Sequence, residues 1–87
     1  MKIKDGYLLR SVAGKNIVVS VGGNLDFNGM LTLNDTGVFF WNLLQKSTTK
    51  EEMLNAVLFE YDVDKEEAKK DIDEFIMKLE DAKLLED

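Results

Sequence analysis

The side chains that most often perform chemistry near neutral pH are missing from this chain, which has neither histidine nor cysteine among its 87 residues. Their absence removes the imidazole that titrates near neutrality, the thiolate nucleophile and the usual transition-metal ligands. Carboxylates, lysines, tyrosines and hydroxyls remain, and no nucleophile–base pair can be picked out among them. Three groupings still invite a chemical reading. Asp62-Val63-Asp64-Lys65-Glu66-Glu67 collects acidic groups that suit a hard cation, but it lacks the glycine and the spaced final glutamate of a twelve-residue calcium loop. Capping of a helix start explains it better. Gly22-Gly23 precedes no helix opening with Lys-Ser/Thr, so it reads as a turn and not as a phosphate cradle. Asp71, Phe75, Lys78 and Leu79 recur at three- or four-residue spacing and so lie along one side of a helix, two apolar residues with a charge of each sign. That third pattern is one side of a helix, and Phe75 and Leu79 belong also to its apolar core stripe. The reading is of a protein that is not an enzyme and needs no metal or cofactor.

Two kinds of periodicity divide the elements that would position these residues. From Tyr7 to about Leu33 the chain is rich in β-branched and aromatic residues and punctuated by glycine, which predicts strands and turns. Tyr7 to Val12 and Asn16 to Val21 flank Ala13-Gly14-Lys15 as a hairpin. Gly22-Gly23-Asn24 ends the second strand, and Gly29 to Leu33 supplies a third, with Met30 and Thr32 on one face and Leu31 and Leu33 on the other. From Asn34 onward the period becomes helical. Asn34 or Asp35 caps a first helix to about Gln45, apolar nearly all round through Val38, Phe39, Phe40, Trp41, Leu43 and Leu44, which places it centrally with Trp41 in the core.

Thr48 with Glu51, or Thr49 with Glu52, fits the capping box of a second helix, over about 49–60, whose apolar stripe is Met53, Leu54, Val57, Leu58 and Tyr61. Asp64 with Glu67 repeats that spacing, with Val63 placed as a staple to Ala68, and opens a third helix over about 65–82. Its stripe is Ala68, Ile72, Phe75, Ile76, Leu79 and Ala82, and acidic residues near its start and lysines near its end suit the helix dipole. Phe59 and Met77 fall off these stripes and are expected to be exposed. The fold class is therefore α+β, winged-helix-like: an N-terminal three-stranded antiparallel sheet followed by three helices, in one domain over residues 1–87.

Composition narrows the function further. A make-up of 45% hydrophobic and 32% charged residues is that of a water-soluble protein, and no apolar run approaches the roughly 20 residues that span a bilayer. The start of the chain lacks the features of a secretory signal, so a cytoplasmic location is expected. A formal net charge of -6 repels phosphate backbones, and a winged-helix DNA-binding role would need a basic recognition helix that neither later helix supplies. A homodimerising scaffold, with exposed strand edges or the aromatic first helix pairing between copies, is a further reading.

The run Leu31-Thr32-Leu33-Asn34-Asp35-Thr36-Gly37-Val38-Phe39-Phe40-Trp41-Asn42-Leu43-Leu44, the segment Thr49-Lys50-Glu51-Glu52-Met53-Leu54, the hinge Glu60-Tyr61-Asp62-Val63-Asp64, and a closing helix through Asp71, Phe75 and Leu79 to Leu84-Leu85 together resemble the PqqD family. Order and spacing over nearly the whole chain carry the resemblance. Members usually have a glycine after the first helix and another just before the final Leu-Leu, where this chain has Lys46-Ser47 and Ala82-Lys83. The resemblance implies a RiPP recognition element: a module that binds the leader of a ribosomally made precursor peptide and presents it to a modifying enzyme, often a radical enzyme using S-adenosylmethionine. It implies a leader lying between the third strand and the third helix as an added strand. The edge is then Met30, Leu31, Thr32 and Leu33, and the helix contributes Asp71, Phe75, Lys78 and Leu79.

Overall fold

The computed structural model describes residues 1–21 and 31–86. β1 (Lys2–Ile3) and β5 (Leu85–Glu86) form a two-stranded antiparallel sheet. β2 (Tyr7–Val12), β3 (Lys15–Ser20) and β4 (Leu31–Leu33) form a three-stranded antiparallel sheet in that order. The helices are α1 (Asp35–Leu43), α2 (Lys50–Glu60) and α3 (Lys65–Asp81). The expected sheet followed by three helices is present, with one addition among the strands. The third strand is described from Leu31, since Met30 lies outside the described residues, as does Gly22-Gly23. The pairing of the chain's two ends is additional. Two-residue strands carry no period that sequence alone could reveal.

The β2–β3 turn is tighter than expected. Val12 pairs with Lys15, leaving only Ala13 and Gly14 between the strands, with φ of 51° and 79°. Positive φ at both positions is the turn whose twist matches that of the flanking strands. β4 pairs with β3 through Asn16↔Leu33, Ile17↔Thr32 and Val18↔Leu31. Residues opposite one another share a face, so Leu31, Leu33 and Val18 point toward the helices and Thr32 points away. Burial agrees: Val18 and Leu33 are buried, Leu31 half-buried and Thr32 exposed.

Caps set the helix starts. Asn34 Oδ1 accepts the Gly37 N–H at 2.8 Å, which selects Asn34 over Asp35 as the cap. Thr49 Oγ1 accepts the Glu52 N–H at 3.1 Å, while Glu52 Oε2 accepts from Thr48 Oγ1 at 3.3 Å instead of reaching back to the cap's own N–H. The box is therefore one-sided. At α3 the expected box does not form: Asp64 is the N-cap without a side-chain cap bond, and Val63, expected as a staple, is exposed. Burial of α3's apolar stripe replaces local capping as the cause of its position, since packing supplies most helical stability in proteins.

One hydrophobic cluster joins the layers. Tyr7, Val18 and Leu33 from the sheet meet Phe40, Trp41 and Leu44 of the α1 region, Met53 and Val57 of α2, and Ala68, Ile72, Phe75, Ile76 and Leu79 of α3. α1 is central, as its all-round apolar character required, and Trp41 is buried. It stops at Leu43, two residues short of the expected end. Phe59 and Met77 are exposed, as their off-stripe positions imply.

The end of α3 explains one departure from the PqqD pattern. The Leu84 N–H donates to Leu79 O at 2.9 Å and the Lys83 N–H to Glu80 O at 3.0 Å, with Lys83 at φ 61°. This closing motif wants glycine at the left-handed position, because a side chain there costs about 1–2 kcal/mol. Lys83 occupies it, and the wholly buried Leu84 and Leu79 hold it in place. Lys83→Gly is therefore expected to stabilise the chain by about 0.5–1 kcal/mol, a rise of a few degrees in thermal unfolding midpoint.

Candidate peptide-binding cleft

Among the described residues β4 pairs only with β3, so its other side is an open edge. Along a strand, alternate residues direct their N–H and C=O groups to opposite sides, so an open edge presents unpaired donors and acceptors. α3 lies across from this edge, and two adjoining cavities separate them. One, of about 310 Å³, is lined by Thr32, Leu33, Asn34, Gly37, Phe75 and Lys78. The other, of about 230 Å³, is lined by Asn34, Thr36, Gly37, Phe40, Asp71, Glu74, Phe75 and Lys78. Shared lining by Asn34, Gly37, Phe75 and Lys78 makes them one cleft.

The strand-to-helix junction shapes its mouth. β4 passes into α1 through the Asn34 cap, and Gly37 sits in the first turn against the strand. A Cβ at Gly37 would lie 3.2 Å from Leu33 Cβ and 3.3 Å from Asn34 Oδ1, so a side chain could enter only by moving the junction. The floor is aromatic. Phe40 and Phe75 meet with ring centroids 5.5 Å apart and tilted by 55°. Phe75 is 7% exposed, and that remaining edge faces the cleft. Around the floor stand the exposed Asp71, Glu74 and Lys78, none in an ion pair among the described residues.

The residues expected to bind therefore divide. Thr32, Leu33, Asp71, Phe75 and Lys78 line the cleft. Leu31 is half-buried on the helix-facing side of β4 and lines neither cavity, and Leu79 is wholly buried in the core. Met30 lies outside the described residues. Asn34, Thr36, Gly37, Phe40 and Glu74 line the cleft without having been singled out. Glu74 was within reach of sequence reasoning, three residues after Asp71 and four before Lys78 on the same side of α3. The others lie on α1 and its cap, and they reach the cleft only through the way β4 turns into α1.

The family described as coenzyme PQQ synthesis protein D (PqqD) matches residues 16–85, which take in β3, β4 and all three helices. The chain belongs to the PqqD family. A comparison with curated proteins returned no match. Among solved structures, this PqqD-family chain is similar to TbiB1 in complex with the TbiA(beta) leader peptide, with a TM-score of 0.76 and 26% identity. The alignment covers 99% of this chain and 95% of that one. That protein carries a leader peptide. Among the described residues of the present chain, no helix is long and apolar enough to cross a membrane.

Proposed function

We propose that this PqqD-family chain is a RiPP recognition element that captures the leader of a ribosomally made precursor peptide by strand addition at β4 and presents it to a modifying enzyme. The chemistry then belongs to the partner, which the family resemblance suggests is a radical enzyme using S-adenosylmethionine. One observation carries the reading: the open edge of β4 faces a cleft with an aromatic floor and a charged rim, in a fold shared with a protein solved with its leader bound. Backbone pairing gives affinity to any extended peptide, and the cleft selects among side chains. Thr32, Leu33, Asp71, Phe75 and Lys78 contact the leader in this arrangement, and Met30 and Leu31 extend the pairing edge. Leu79 is buried in the same core cluster as Phe75. α3 carries seven acidic residues against four lysines, which opposes insertion into a DNA groove.

Lys78 offers the cleanest test because it is exposed and its loss leaves the core intact. Its ammonium can donate to leader carbonyls or carboxylates, and hydrogen bonds to a charged group are worth about 1.5–3 kcal/mol. Lys78→Ala is expected to weaken the leader of a precursor encoded beside this chain about tenfold in calorimetric titration, with an unchanged unfolding midpoint. Wild-type affinity in the variant would remove Lys78 from the site. Saturable binding of duplex DNA in place of the leader would overturn the reading as a whole.

A further inference from the structure

A second groove lies on the other flank of α3, between it and α2. It is about 450 Å³ in volume, with Leu54, Leu58 and Ile72 as an apolar floor. Its rim differs in charge from the chain as a whole. Lys50, Lys65 and Lys69 line it together with Glu51 and Asp73, three basic residues against two acidic ones in a protein of net charge -6. Lys50 is held by Asp73 at 3.1 Å, but Lys65 and Lys69 form no ion pair among the described residues. They stand four residues apart, one above the other on one side of the helix.

Among the described residues, the two most exposed large apolar side chains lie next along the same helices. Phe59, 87% exposed, is one turn beyond the lining residue Asn55, and Met77, 63% exposed, is one turn beyond Asp73. Exposed aromatic and methionine side chains beside an apolar groove are the usual anchors of protein interfaces. Two unpaired ammonium groups one helical turn apart match carboxylates at i and i+4 on a facing helix.

We infer that the α2–α3 groove docks an amphipathic helix of the modifying enzyme, one with aliphatic side chains for the Leu54, Leu58 and Ile72 floor and carboxylates for Lys65 and Lys69. This assignment rests on the reading of the chain as a presenter of leader peptides. The two surfaces share α3 but use opposite flanks: Lys65, Lys69, Ile72 and Asp73 on one, Asp71, Glu74, Phe75 and Lys78 on the other. Leader and enzyme are therefore bound together, about one helix diameter apart, which is the geometry that presentation requires.

The test uses the full chain and the modifying enzyme encoded beside it, with binding measured with and without saturating leader. Lys65→Glu with Lys69→Glu, and separately Phe59→Ala, change only exposed side chains. Each is expected to weaken enzyme binding at least tenfold, with leader affinity kept within twofold. The charge-reversed variant should also lose the salt dependence of the wild-type interaction. Unchanged enzyme affinity in both variants, with leader still bound, overturns the groove assignment and leaves the leader reading standing. Enzyme binding that is lost in the variants, by a wild-type chain that takes no leader, upholds the groove and sinks the leader reading. If the wild-type chain self-associates and the variants do not, the groove belongs to a second copy and the enzyme assignment fails.

Discussion

Replacing Phe40 by alanine is expected to remove about 3–5 kcal/mol of folding stability, leaving the chain largely unfolded at physiological temperature. A domain of this size has roughly 4–13 kcal/mol in total, so one such loss consumes a large part of it. Phe40 is 2% exposed in the central helix, with its ring 5.5 Å from Phe75 on α3 and 6.3 Å from Phe39. Truncation opens a void between α1 and α3 that a close-packed interior fills only in part. Phe59→Ala makes the same chemical change at a position 87% exposed and is expected to alter stability by less than about 0.5 kcal/mol. Thermal unfolding of the two variants beside the wild type checks the contrast. A Phe40 variant that unfolds within a few degrees of the Phe59 variant would contradict the placement of α1 in the core.

Much of that placement was legible because helical periodicity is a direct record of burial. Of the six residues in the predicted α3 stripe, Ala68, Ile72, Phe75, Ile76 and Leu79 are buried as a set and Ala82 is half-buried. A helix apolar on every side had to be central, and α1 is. Legibility fell where local chemistry offered alternatives. Asp64 has the spacing of a capping box and makes no side-chain cap bond, because tertiary packing positions α3 without it. The pairing of β1 with β5 joins residues more than 80 positions apart, and no local pattern encodes it.

The cleft was legible in part. Asp71, Phe75 and Lys78 could be grouped because helical geometry fixes which side they share, and Thr32 and Leu33 because they belong to the strand that the family resemblance makes the pairing edge. Asn34, Thr36, Gly37 and Phe40 join them only through the angle between β4 and α1, a three-dimensional fact. Leu79 shows the converse limit. Its spacing fits the cleft as well as the core, and the packing of α1 against α3 assigns it to the core.

Strand addition makes a prediction that no side-chain substitution can imitate. A leader paired along β4 has alternate N–H groups directed to the strand and the others to solvent. Single N-methylation of each leader residue in turn removes one donor and adds bulk at that point. Each lost backbone bond is worth about 0.5–1.5 kcal/mol, and the steric conflict of the methyl group adds to it. The measurement is a calorimetric titration of the chain with the leader of a precursor encoded beside it and with each singly N-methylated form. The account predicts saturable binding of the unmodified leader and losses of at least about tenfold at every second residue of the paired stretch, with the intervening residues near the parent affinity. No binding of the unmodified leader, or losses that recur every three to four residues as for a docked helix, would contradict it.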